Sequence, residues 1–228
     1  MSDKSWLKLL QQQPAIAVIR APTFQLGYEM ATAVARGGMK TIEITWNSDR
    51  AADLIDVLRS DLPLCTIGTG TVLNMSQLQS ALAAGAQFLF TPHTDLAIVQ
   101  VATSAGVPIV PGALSPTEII TAWQAGASSV KVFPISAMGG PGYIKSLQGP
   151  LGHIPLIPTG GVTLENARAF LEAGAITVGL AGDLFPPDSI LAGDWQAIAE
   201  RAQKLIERIK NIDGDREAPW PKSLPPKL

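Results

Sequence analysis

Five segments of the chain repeat one design: the end of a helix, a glycine, then a short apolar run. They read ARGGMKTIEIT, AAGAQFLFTP, SAGVPIVPG, QAGASSVKVFP and EAGAITVGLAG. A glycine suits the left-handed residue just past a helix C-terminus. The glycines are Gly38, Gly85, Gly106, Gly126 and Gly174, spaced 47, 21, 20 and 48 residues apart. The long gaps are about twice the short ones, so each should hold one more unit. LPLCTIGTG and HIPLIPTGG supply the missing units, and PAIAVIR near the start brings the apolar runs to eight.

Helix-like stretches lie between these runs: SQLQSALAA, DLAIVQVATSA, PTEIITAWQA and LENARAFLEA. Asn74, Ser115 and Thr163 fit as N-caps for three of them. Strands that alternate with helices at this period imply a parallel sheet with helical crossovers. Eight units imply an α/β fold of the (β/α)8 TIM-barrel type. A doubly wound open sheet is the weaker alternative, because no GxGxxG follows the first strand. The barrel is expected to fill one domain, residues 1–212. MSDKSWLKLLQQQP should form a short amphipathic helix ahead of it, and WQAIAERAQKLIERIK should close the ring. The remainder, 213–228, is rich in proline and charge and is expected to be loosely held.

Composition narrows the functional classes. Hydrophobic residues make up 46% of the chain and charged ones 16%, enough for a sizeable core. The net charge is -2 with no Lys/Arg cluster, which argues against nucleic acid or an anionic membrane as partner. A single cysteine, Cys65, excludes an intrachain disulfide and a cysteine zinc site. No apolar run is long enough to span a bilayer, and the N-terminus lacks a secretory pattern. A soluble cytoplasmic protein is expected.

Side chains alternate along a strand. In TIEITW, Ile42 and Ile44 should face the helices, and Thr41, Glu43 and Thr45 the barrel axis. In SSVKVFP, Val130 and Val132 should face the helices, and Ser129, Lys131 and Phe133 the axis. These are the second and sixth of eight strands, opposite each other in the ring. Alternate strands share interior layers, so Glu43 and Lys131 can meet across the middle. A structural salt bridge would carry a desolvation cost and be no better than apolar packing. The same burial lowers a lysine pKa and yields an amine able to attack a carbonyl, with a carboxylate at hand to move protons.

Active sites of such barrels lie at the C-terminal strand ends. Here these read GTGT (68–71), TPH (91–93), PGA (111–113), FP (133–134), PTGG (158–161) and GLAGD (179–183). PTGG, before a helix, suits backbone binding of a phosphate. His93 falls near these ends and His153 at the opposite end, so the two do not make a zinc site. Cys65 reads as a small core residue at the start of the third strand, and Lys145 as a solvated helix residue.

The stretches GGMKTIEITW, IGTGTVLN, AAGAQFLFTP, VPIVPG, VKVFP, GGPGYIKSLQGP and PTGGVTLENA occur together between residues 15 and 186. In them the chain resembles the 2-keto-3-deoxy-6-phosphogluconate (KDPG) aldolase family, with its 6-phosphogalactonate (KDPGal) and 4-hydroxy-2-oxoglutarate (KHG) relatives. The resemblance implies a class I aldolase that works through a lysine Schiff base with no metal or other cofactor, assembled as a homotrimer. It implies Lys131 as the Schiff-base lysine and Glu43 as the general acid/base. It puts Thr71 at the pyruvate end, Pro92 and Phe133 on the pocket wall, and Gly160 and Gly161 on the phosphate loop. Thr45, Thr159 and Gly182 complete the expected substrate-binding set.

Two departures stand out. Asn47 takes the place of a carboxylate-binding arginine, exchanging a charged fork for a neutral amide. In LAGDLF, Gly182 replaces a phosphate-binding serine and Asp183 adds a negative charge. Three activities follow for testing. The first is retro-aldol cleavage of a 2-keto-3-deoxy sugar acid. The second applies the same imine to another 2-keto acid, by oxaloacetate decarboxylation or by KHG or KDPGal cleavage. The third is a sugar-phosphate barrel, isomerase or plain binder, that forms no Schiff base.

Overall fold

A computed structural model of the chain describes residues 1–210; the Pro-rich segment with Trp220 lies outside the described residues. The first half runs α1 (Asp3–Gln12), β1 (Ala15–Ile19), α2 (Phe24–Arg36), β2 (Thr41–Thr45), α3 (Ala51–Asp61), β3 (Thr66–Gly70), α4 (Met75–Ala83) and β4 (Leu89–Phe90). It continues with α5 (Leu96–Ser104), β5 (Ile109–Val110), β6 (Gly112–Ala113), α6 (Pro116–Gln124) and β7 (Val130–Val132). The last part holds α7 (Pro141–Leu151), β8 (Leu156–Pro158), α8 (Ala167–Glu172), β9 (Val178–Leu180), α9 (Pro187–Ala192) and α10 (Trp195–Lys210).

Every strand pairing is parallel. One sheet has the order β5-β4-β3-β2-β1-β9 and a second the order β6-β7-β8. β5 and β6 are one barrel strand interrupted at Pro111, which has no N–H for the ladder. The other seam, between β8 and β9, is crossed by the bridge Thr159–Gly179 and by a 3.0 Å bond from Ile176 N–H to the Leu156 carbonyl. Eight strand positions therefore close into a ring, as the glycine spacing predicts. Cys65 lies one residue before β3, half-buried against the core, and burial pushes its thiol pKa up.

The repeat has a single geometric cause. Gly38, Gly85, Gly106, Gly126 and Gly174 all have φ between +69 and +109°. In each case the next residue donates its N–H to the carbonyl five positions back, at 3.1–3.2 Å. That bond closes a Schellman turn, which needs a left-handed residue and so a glycine. Asn74 caps α4 through Gln77 N–H at 3.0 Å, and Ser115 forms a reciprocal capping box with Glu118 on α6. Thr163 accepts from Asn166 N–H at 3.2 Å in a turn ahead of α8, and the helix itself starts only at Ala167.

The outward-facing Ile42, Ile44, Val130 and Val132 pack with Leu54, Ile55, Ile119 and Ile144 of the helices. Trp46 also packs outward, against the same layer. A separate cluster closes the N-terminal end of the ring. There α1 inserts Trp6 and Leu10, one turn apart, against Ile16, Phe88, Phe90 and Ile157. The Trp6 ring lies 5.1 Å from Phe88, and its Nε1–H donates to Ser129 Oγ at 3.1 Å. Burying about 150–250 Å² of indole at about 25 cal/mol/Å² contributes on the order of 4–6 kcal/mol. With that end plugged, the C-terminal end is the open one.

Candidate active site

A cavity of about 620 Å³ opens among the C-terminal strand ends, and both Glu43 and Lys131 line it. A cleft of about 720 Å³ between α8 and α10 holds none of the predicted site residues.

Glu43 is 1% exposed and Lys131 5%. They share the cavity without forming an ion pair within 4.0 Å. Glu43 Oε1 is buried and has no hydrogen-bond partner. Gly70 on β3, which pairs with Thr45, leaves room for it: a methyl group there would overlap the Glu43 carboxylate. Lys131 Nζ lies 4.6 Å from the centre of the Phe133 ring and 5.9 Å from that of Phe90.

The surroundings push the two groups toward their neutral forms. Burial raises the Glu43 carboxyl pKa, opposed by the charges of Lys131 and Arg20. Burial lowers the Lys131 amine pKa, opposed by Glu43 and reinforced by Arg20. A structural salt bridge would hold the pair in contact to offset its desolvation. Two buried, unpaired titratable groups facing one cavity are instead the signature of a reactive site.

Of the residues expected at the substrate site, Thr45, Thr71, Pro92, Phe133, Thr159, Gly160 and Gly182 line this cavity. Thr71 has φ 60°, a left-handed conformation that costs a β-branched residue of order 1–3 kcal/mol. The strain aims a hydroxyl-bearing residue at the site. Thr159 is 6% exposed, and its Oγ1 has no partner. Gly160 and Gly161 have φ of +83 and +94°; a Cβ would press on Phe133 from the first and on Ser136 from the second. Gly161 stands behind the wall, its carbonyl accepting from Asn166 Nδ2 at 3.0 Å.

Asn47, also expected at the substrate site, is placed elsewhere. It is exposed and does not line the cavity. β2 ends at Thr45 and the chain turns there, with Ser48 N–H donating to the Thr45 carbonyl at 2.8 Å, so residue 47 lies on the outside of the turn. The cavity's arginine is Arg20, one residue past β1. It has no ion pair or side-chain hydrogen bond among the described residues. The alternation that places Glu43 also finds Arg20: Ile16 packs inside the ring, Val18 lines the cavity, and Arg20 follows in the same phase. Leu26 and Met30 of α2, with Phe185 and Ile190 around α9, form an apolar wall that strand alternation does not reveal.

Asp183 is turned away. Its Oδ2 accepts Leu164 N–H at 2.8 Å, its Oδ1 lies 3.4 Å from Arg201 Nη2, and its own carbonyl accepts two Arg201 N–H groups. The charge is engaged between the start of α8 and α10, outside the cavity wall. His93 is exposed and lines a neighbouring cleft that shares Pro92 and Phe133 with the main cavity. His153 and Lys145 are exposed as well.

The family model for KDPG and KHG aldolases matches residues 7–201. A 2-dehydro-3-deoxy-phosphogluconate aldolase of Haemophilus influenzae is 35% identical over 205 residues, which is 90% of this chain and 95% of that one. A KHG/KDPG aldolase of Escherichia coli K12 is 30% identical over 202 residues, covering 89% and 95%. Among solved structures, native KDPGal superposes with a TM-score of 0.80 at 31% identity, covering 88% of this chain and 96% of the other. KDPG aldolase from Legionella pneumophila, with pyruvate captured as a covalent carbinolamine, also gives 0.80, at 25% identity, covering 90% and 98%. The chain belongs to the KDPG and KHG aldolase family and is a lyase of the aldolase type.

Proposed function

We propose that the chain cleaves KDPG to pyruvate and glyceraldehyde 3-phosphate through an imine on Lys131. One observation carries this reading: an amine and a carboxyl group, both buried and unpaired, face a single cavity. The relatives named as KDPG aldolases support the substrate, and the Legionella carbinolamine supports the covalent route.

Burial shifts both groups toward their neutral forms, and with those forms as the starting point the proton count closes over one turnover. The Lys131 amine attacks the C2 ketone, and a proton passes from nitrogen to oxygen to give a carbinolamine. The Glu43 carboxylic acid protonates the departing hydroxyl, water leaves, and an iminium forms beside the new carboxylate. That carboxylate takes the C4 hydroxyl proton, directly or through a water. The C3–C4 electrons flow into the iminium, leaving an enamine and releasing the aldehyde. Glu43 returns its proton to C3. Water then adds to the iminium with Glu43 accepting a proton, and pyruvate is expelled from the lysine. General acid–base help of this kind contributes about 10²–10⁴-fold.

Arg20 and Thr71 are read as the partners of the substrate carboxylate, since the guanidinium is a cation on the wall with no ion pair among the described residues. The backbone at Gly160, Gly161 and Gly182 is read as the phosphate end. Gly182 has open space where a side chain would stand. Thr159, with its unpartnered hydroxyl, is read as a contact to a substrate hydroxyl. Residues 1–212 are read as the working domain, in a cytoplasmic homotrimer. No helix among the described residues is long and apolar enough to cross a membrane.

Pyruvate with borohydride tests the chemistry. A mass gain localised to Lys131 is expected, absent in Lys131→Ala together with turnover. Near-full activity in Lys131→Ala would overturn the mechanism. Comparing kcat/KM for KDPG, KDPGal, KHG and oxaloacetate ranks the substrates, with KDPG expected first.

A further inference from the structure

We propose that Ser48 is a positioning residue that keeps Arg20 at the cavity wall. The inference rests on reading Arg20 as the cation that binds the substrate carboxylate. The guanidinium has no ion pair or side-chain hydrogen bond among the described residues, so its place is set by its backbone. That backbone is gripped at the next residue. Ala21 N–H donates to Ser48 Oγ at 3.1 Å, and the Ala21 carbonyl accepts Asp49 N–H at 3.0 Å. Asp49 Oδ2 also accepts Phe24 N–H at 3.0 Å, at the start of α2. The turn after β2 thus clasps the β1–α2 connection from both sides of Arg20's neighbour.

Ser48 is the buried member of this turn. It is 7% exposed, while Asn47 and Asp49 on either side are exposed. Its hydroxyl also meets Thr45 Oγ1 at 3.2 Å. Thr45 stands on the same face of β2 as Glu43 and lines the cavity. A side-chain link therefore runs from the strand of the proton-transfer group, through two hydroxyls, to the backbone next to the cation. Removing the Ser48 hydroxyl leaves Ala21 N–H, in a residue only 1% exposed, without its acceptor. A buried donor cannot be left unmade cheaply, so the loop shifts to reach water. The long Arg20 side chain moves with it.

The experiment is a mutant cycle of wild type, Ser48→Ala, Arg20→Ala and the double variant. Each is assayed for kcat and KM with KDPG, and for the pyruvate concentration that half-saturates borohydride trapping. Ser48→Ala is expected to raise both KM and that concentration about tenfold, the effect of one lost positioning hydrogen bond, with kcat within about twofold. In the Arg20→Ala background it should change neither, because two residues acting through one contact are not additive. If Ser48→Ala leaves KM at the wild-type value, the proposal falls. It falls equally if KM rises by the same factor in both backgrounds, since the loss would then bypass Arg20. If Arg20→Ala itself leaves KM unchanged, the carboxylate reading fails, and the proposal with it.

Discussion

Gly70→Ala tests how tightly the fold fixes Glu43. The backbone at residue 70 has an ordinary φ, so alanine adds no conformational strain there. The added Cβ would overlap Glu43 Oε1 and Cδ and stand 3.0 Å from its Cγ. These atoms are the end of a side chain, so Glu43 can rotate away and the fold yields easily. The stability cost should therefore sit near the low end for overpacking, about 1 kcal/mol, or about 2–4 °C in Tm for a domain of this size. The catalytic cost is larger, because a misplacement of about 1 Å in a reacting group lowers rate about 10²-fold. Lys131 is on β7, across the cavity, and meets nothing new. Gly70→Ala should thus lose about 10²-fold in kcat for KDPG cleavage, with Tm nearly kept and pyruvate still trapped stoichiometrically by borohydride. A folded variant with kcat within about threefold of wild type would refute the reasoning. Either Glu43 would not be the proton carrier, or Gly70 would not set its position.

Glu43→Gln removes the charge that raises the Lys131 pKa. The pH midpoint for trapping pyruvate on Lys131 should move to lower pH, while kcat falls about 10²–10⁴-fold. An unmoved or higher midpoint contradicts the coupling. Lys131→Met removes a buried group whose folded pKa lies below the ordinary lysine value of 10.5. Between those two values the unfolded chain binds a proton that the folded chain does not, so wild-type stability rises with pH. The variant should be the more stable protein at the acid side of that window and lose its advantage as pH approaches 10.5, followed by Tm against pH. Trp6→Ala empties the plug at the far end of the ring. It should cost about 3–5 kcal/mol and about 6–20 °C in Tm, with kcat unchanged below the new melting point, read by calorimetry and steady-state assay.

What could be read from the sequence was local. The five Schellman glycines mark helix ends within a six-residue window, so their spacing counts the units directly. Strand alternation needs only neighbouring residues, and it aims Glu43 and Lys131 correctly. Asn47 fails because alternation stops where the strand stops, and the turn at Thr45 carries residue 47 outside. Arg20 carries the right phase but looks, as a lone basic residue at a strand end, like any solvated arginine. Only the cavity distinguishes it. Asp183 misleads because its partners are distant in the chain: Leu164 N–H lies 19 residues away and Arg201 18. The break at Pro111 splits one expected strand into two, a ladder effect rather than a change of topology.

The two seams of the ring have a consequence for catalysis. Glu43 belongs to the six-stranded sheet and Lys131 to the three-stranded one. Proton carrier and nucleophile are thus mounted on separate plates. The plates join around Pro111, whose carbonyl accepts Lys131 N–H at 2.9 Å, and at the β8–β9 seam, through the Thr159–Gly179 bridge and the bond from Ile176 N–H to the Leu156 carbonyl. The separation of amine and carboxyl is therefore set by how the two seams close and not by any one strand pair. Because the Lys131 backbone bonds to Pro111 and Thr159 lines the cavity, a change at either seam is felt at the site itself.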